Sequence, residues 1–152
     1  MRIRFWSGQP QPVSKVGNMI DRLARDAAVN LIRQYFGGSI TNDELLDEFP
    51  RSSPDSALEG IYQRMFDLVD DLYGHKVLGS LANDPVNYVL VQRCVLFLHS
   101  DLEYQWVGKS RGIINRLRGL RSVSDKGEAG VWPFFRRVDY ETVSKTWHVL
   151  NS

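Results

Sequence analysis

The 152-residue chain has one cysteine, three histidines and a formal net charge of only +1 at pH 7. Each scarcity excludes something. A lone cysteine, Cys94, cannot close an internal disulfide, and within an apolar stretch it reads as a small buried hydrophobe. The apolar runs are too short to cross a bilayer. The opening residues, Met1-Arg2-Ile3-Arg4-Phe5-Trp6, lack the long apolar stretch and small-residue cleavage site of a secretory signal, which leads to the expectation of a cytoplasmic protein. Near-neutral charge argues against a dedicated nucleic-acid binder, and neither an internal repeat nor a low-complexity segment stands out.

What is present is the composition of a globular domain, 43% hydrophobic and 24% charged, and 152 residues suffice for one core without metals or disulfides. A single domain over 1–152 is expected, with 1–17 as an irregular lead-in broken by Gly8, Pro10, Pro12 and Gly17. The densest apolar segment follows Asp84-Pro85, an N-cap and a preset first-turn residue. From Tyr88 to Leu98 only Gln92 and Arg93 interrupt it. The pattern predicts a central helix with no face left for water.

Other helices announce themselves by spacing. Ile20, Leu23, Ala24, Ala27, Leu31 and Tyr35 form one stripe ending at Gly37-Gly38, with Asp21–Arg25 and Arg22–Asp26 as i,i+4 pairs on the other side. Thr41-Asn42-Asp43-Glu44 has the form of a capping box for a short helix ending near Phe49-Pro50. Ser53-Pro54-Asp55 opens a helix whose stripe of Leu58, Ile61, Tyr62, Met65, Val69, Leu72 and Tyr73 extends to Gly74. Leu102 to Val107 alternates like an extended segment, a weaker helix spans Ile113 to Leu120, and Tyr140 to Val149 forms a last short helix. The fold class is therefore mainly α, a helical bundle with short extended segments.

Charge is unevenly placed. Asp43, Glu44, Asp47, Glu48, Asp55, Glu59, Asp67, Asp70 and Asp71 crowd one region against Arg51 and Arg64, whereas Lys109 to Arg121 holds five bases and no acid. Such poles can steer a charged partner, and the same pattern describes two solvated faces. Arg111, Arg118 and Arg121 with Trp132, Phe134, Phe135, Arg136 and Arg137 also supply the cations and rings of a nucleic-acid surface, although no recognised reading motif accompanies them.

Three groupings invite chemistry. Gly108-Lys109-Ser110 resembles the end of a phosphate loop, but the position that needs the first glycine is Glu103, so the backbone cradle is missing. Asp67, Asp71 and His75 stand at i, i+4 and i+8, metal-ligand spacing on one helix face if the helix continues that far, but Gly74 points to a helix end before His75 and a solvated acidic face is the stronger reading. His99, Asp101 and Glu103 alternate along the extended segment, so all three point one way and would suit proton transfer or a metal. The competing role for this cluster, which also holds Tyr104 and Trp106, is a structural latch in which Arg93 pairs with a carboxylate.

The run Arg93-Cys94-Val95-Leu96-Phe97-Leu98-His99-Ser100-Asp101-Leu102-Glu103-Tyr104-Gln105-Trp106, with Thr41-Asn42-Asp43-Glu44 ahead of Phe49-Pro50, resembles a family of small bacterial proteins of unassigned activity. The resemblance implies a bacterial cytoplasmic protein and brings no ligand, cofactor or catalytic role; immunity and antitoxin-like proteins offer an analogy of size and charge polarity alone. The expectation is a protein-interaction module without a cofactor, binding a protein partner through a charged face with Arg93, Asp101, Glu103, Tyr104, Trp106, Arg111, Arg118 and Arg121 as contact residues. A small enzyme around His99, Asp101 and Glu103 is the alternative, and nucleic-acid binding through Lys109 to Arg121 the second.

Overall fold

A computed structural model describes residues 19–51, 53–69, 74–77, 83–106 and 127–150. The described residues form a mainly α-helical bundle: α1 Arg22–Phe36, α2 Asn42–Glu48, α3 Ser56–Leu68, α4 Pro85–His99 and α5 Arg137–Leu150, with a 3₁₀ turn at Ala129–Val131. None of them is in a strand. No described helix is long and apolar enough to cross a membrane. The lead-in at 1–17, the Gly108-Lys109-Ser110 triplet and the basic run from Lys109 to Arg121 lie outside the described residues.

Helix starts follow the capping residues. Asp21, Thr41, Asp55 and Asp84 each accept from a backbone N–H of the first turn they precede, which satisfies a donor that has no intrahelical partner. At Thr41 the capping box is complete, since the Glu44 carboxylate accepts from the Thr41 N–H at 2.7 Å while Thr41 Oγ1 accepts from the Glu44 N–H. Phe49, ahead of Pro50, takes an extended conformation that ends α2 where the sequence places its end.

Helix α4 is the hub, packing against α1, α3 and α5. Its inward residues Leu90, Val91, Cys94, Phe97 and Leu98 join Ala28, Val29, Ile32 and Tyr35 of α1 and Leu58, Ile61 and Met65 of α3 in one core. The expectation that no face of α4 meets water is corrected: Gln92 is exposed in its second half, and its first turns are more exposed still. Val86 is 72% exposed, and Tyr88 and Val89 are exposed as well, because its neighbours pack on the half nearer the C-terminus.

Two further expectations are corrected. The inward face of α1 is Arg25, Ala28, Val29, Ile32 and Tyr35, while Leu23 and Ala27 face water. Arg25 does not pair outward with Asp21, because a buried acid on α3 draws it inward and so sets the rotation of the helix. Helix α3 stops at Leu68, where Val69 adopts an extended backbone, rather than running on to Gly74. The segment 101–106 forms no ladder, yet its burial alternates as its sequence does: Leu102, Tyr104 and Trp106 turn toward the core, and Asp101, Glu103 and Gln105 turn out. Tyr104 can lie against α3 because position 60 is glycine; a Cβ there would stand 2.5 Å from the Tyr104 hydroxyl.

Candidate functional site

The C-terminal end of α4 leaves carbonyls without helical partners, and two arginines of α1 occupy them. Arg22 donates to the carbonyls of Leu98, His99 and Ser100, and Arg25 Nη1 donates to Ser100 O at 2.8 Å. Cations at that end also meet the negative pole of the helix. Arg25 is fully buried, its Nε 2.6 Å from Asp55 Oδ2 and its Nη2 3.1 Å from Oδ1, and its guanidinium lies over the Phe97 ring. Asp55 accepts in addition from the backbone N–H groups of Asp21 and Ala57. Both buried charges are therefore paired and hydrogen-bonded, the condition under which burying them is tolerable.

Beneath this end lies an aromatic cluster. Phe97 meets Phe134 and Tyr104 edge-on at centroid separations of 5.2 and 6.0 Å, Trp132 Nε1 donates to the Tyr104 hydroxyl, and Trp106 Nε1 donates to Phe134 O. Phe134 is wholly buried and Trp132 half-buried, so these rings are committed to the core rather than presented for base stacking. Tyr104 and Trp106 likewise act in packing.

The predicted site residues separate. His99 stacks on Trp147 at 4.5 Å, whereas Asp101 is 85% exposed and pairs with Arg22, and Glu103 is exposed. Arg93 pairs with neither acid; it donates to Gly130 O and to Val89 O, since it sits one turn from Val89 on the side of α4 that faces the 3₁₀ turn. A latch does exist at this end, but Arg22 and Arg25 make it, chiefly through backbone carbonyls. The same-face premise for Asp67, Asp71 and His75 fails because α3 ends at Leu68: His75 exchanges hydrogen bonds with Asn42 at the start of α2, and Asp71 lies outside the described residues. Among the described residues no three His, Cys, Asp or Glu side chains gather as a metal site. Arg111, Arg118 and Arg121 lie outside them.

One concave feature stands beside the capped end of α4, a half-open groove of about 490 Å³ between α1, α4 and α5. Ile32 and Phe36 form one wall, Val91, Val95 and Leu96 a second, and Tyr140 and Trp147 the third. Three polar side chains interrupt these walls: Arg33, Gln92 and Ser144. Arg33 reaches over the Trp147 ring at 5.8 Å, the ring on which His99 also stacks. Burial, with the charges of Arg33 and Arg22, holds the His99 imidazole below its ordinary 6.5 against the opposing pull of Asp26, so it is neutral at pH 7.

Sequence reasoning missed this groove and the Arg25–Asp55 pair. The groove is assembled from single turns of three helices, and periodicity within one helix does not report which turns leave a gap. The pair had a faint signal, since an arginine three residues before Ala28 and four before Val29 falls on the inward face once the stripe is counted back from Ile32. No protein-family model matches the chain, and no curated protein or solved structure matches it significantly.

Proposed function

We propose that this domain is a binding module whose site is the groove between α1, α4 and α5, and that its guest is a small molecule with an apolar body. The observation that supports this most directly is the lining: seven apolar or aromatic side chains around about 490 Å³, interrupted by three polar groups. That size and composition suit small-ligand sites, which are mostly apolar clefts of about 300–1,000 Å³ with a few placed polar groups. The walls belong to helices fixed by the buried pair and by the core, so the site is formed before a guest arrives and little ordering is needed on binding. The expectation of a protein partner met through a charged face named Arg93, Asp101, Glu103, Tyr104, Trp106, Arg111, Arg118 and Arg121; the last three lie outside the described residues, and Arg93, Tyr104 and Trp106 are engaged within the fold.

Titration with the uncharged dye N-phenylnaphthylamine, followed by dye fluorescence, tests the reading. Saturable one-site binding that is lost in Val95→Trp, which fills the groove, is the expected result. Gln92→Trp, an exposed position at the same wall, serves if Val95→Trp fails to fold. Absence of saturable binding, or binding unchanged in a folded filled variant, would overturn it.

A further inference from the structure

Among the groove residues only Arg33 carries a formal charge at neutral pH. The other arginines near the capped end of α4 are committed: Arg22 and Arg25 to carbonyls and acids, and Arg93 to Gly130 O. Arg33 differs from them. Among the described residues its guanidinium donates no hydrogen bond and forms no ion pair, and it lies over the Trp147 ring. A cation held over an aromatic face keeps its in-plane N–H groups directed away from the ring, where they can meet an oxyanion. Two more donors line the same space. Ser144 lies between Thr142 and Thr146, which turn their hydroxyls back onto carbonyls of their own helix at 2.8 and 3.0 Å; Ser144 makes no such bond among the described residues, and the Gln92 amide is similarly uncommitted there.

From these observations we infer that the groove selects a small aromatic acid, a flat apolar ring system bearing one carboxylate or sulfonate, with the anion on Arg33 and the rings against Phe36, Tyr140 and Trp147. This rests on the binding role proposed above and adds the charge and shape of the guest. Among the described residues, the titratable or charged side chains that line the groove are Arg33, cationic, and Tyr140, neutral, so an anion meets no carboxylate on that lining; the acid that acts on His99 is Asp26, which is not a lining residue. A wholly apolar guest would forgo the charge-assisted contact with Arg33, so it binds more weakly than an anion of the same shape rather than being excluded, since Arg33 and Gln92 keep access to water. Three aromatic side chains, Phe36, Tyr140 and Trp147, favour rings over a flexible alkyl chain, because stacked or edge-on contacts add to simple burial.

The test compares two dyes with the same rings, anionic anilinonaphthalene sulfonate and uncharged N-phenylnaphthylamine, by fluorescence titration and calorimetry on the full chain at moderate salt. The wild-type domain is expected to bind the sulfonate at least about tenfold more tightly, the size of one charge-assisted contact. In Arg33→Gln that preference should vanish through loss of sulfonate affinity, with the uncharged dye held within about twofold, and Arg33→Glu should reverse it. Arg33 is exposed and outside the core, so both variants should retain the wild-type circular dichroism; loss of the cation in the last turn of α1 should lower the melting temperature by no more than a few degrees, more in Arg33→Glu than in Arg33→Gln. Equal affinity for both dyes, or a preference that survives Arg33→Gln, overturns the choice of an anion and leaves the groove as an apolar site. Failure of the uncharged dye to bind, or binding of either dye that persists in the folded Gln92→Trp variant, overturns the groove itself and this inference with it.

Discussion

Arg25 Nε and Asp55 Oδ2 stand 2.6 Å apart with both side chains buried, one from the second turn of α1 and the other at the N-cap of α3. Removing either partner leaves the other charge buried and unmatched. Arg25→Ala or Asp55→Asn should each cost about 3–5 kcal/mol, read by urea denaturation or as a drop of roughly 10 °C in melting temperature. The double variant should lose clearly less than the sum of the two, because the second removal eliminates an unpaired charge rather than creating one.

At the exposed edge of the same cluster the expectation is reversed. Asp101 is mostly in water, so Asp101→Asn should change stability by no more than about 0.5 kcal/mol, a surface ion pair at most. Arg22→Ala releases the carbonyls of Leu98, His99 and Ser100 and should cost more, about 1–2 kcal/mol. A thermal melt of each variant checks the order; a larger loss from Asp101→Asn would show that the carboxylate, and not the carbonyls, holds this end.

Two residues of α4 report on the core. Phe97 is 1% exposed and touches Phe134, Tyr104 and Arg25, so Phe97→Ala should cost about 3–5 kcal/mol. Cys94 is fully buried, which pushes its thiol up to about 12. It should react with a thiol-specific disulfide reagent in urea and stay unreactive for hours in native buffer at pH 8, since both exposure and thiolate are lacking. Prompt native-state reaction would place Cys94 at a surface.

His99 gives a pH dependence with a definite sign. Its folded value lies below the ordinary 6.5, so on acidification the unfolded chain takes up a proton before the folded one does. Stability conferred by the neutral, stacked imidazole is complete above about pH 6.5 and declines as pH falls from there through the folded value. Between pH 7 and 5 the wild-type melting temperature should fall, and His99→Phe, which keeps a ring against Trp147, should flatten that slope.

The helix boundaries set by capping were legible in the sequence. Thr41-x-x-Glu44, Phe49-Pro50, Asp55 and Asp84-Pro85 act through neighbours within four residues, and the structure places α2 and the starts of α3 and α4 where they point. Leu23 and Arg25 were misread because a hydrophobic stripe assumes that arginine faces water, an assumption cancelled here by an acid thirty residues away. The end of α3 was misplaced because Leu72 and Tyr73 continue its spacing, whereas Val69 leaves the helical conformation before they are reached. For the cluster at 99–106 the alternation suggested an extended segment whose burial does alternate, but the shared side expected for His99, Asp101 and Glu103 failed because His99 still belongs to α4 and stacks on Trp147. Which cation would meet the cluster was decided by α1, whose approach to α4 no local pattern encodes.

Gly60 and Tyr104 occupy a shared volume, and that sharing ties their fates together. Any side chain added at 60 must displace the ring at 104, and the ring cannot shift alone, because its hydroxyl accepts from Trp132 and its edge meets Phe97. In a lineage drifting from this sequence, a substituent gained at one position would have to be matched by atoms lost at the other. A diverged chain carrying alanine at 60 with tyrosine still at 104 would signal that α3 had moved away from the 101–106 segment, and with it the slope of the wall on which the aromatic cluster rests.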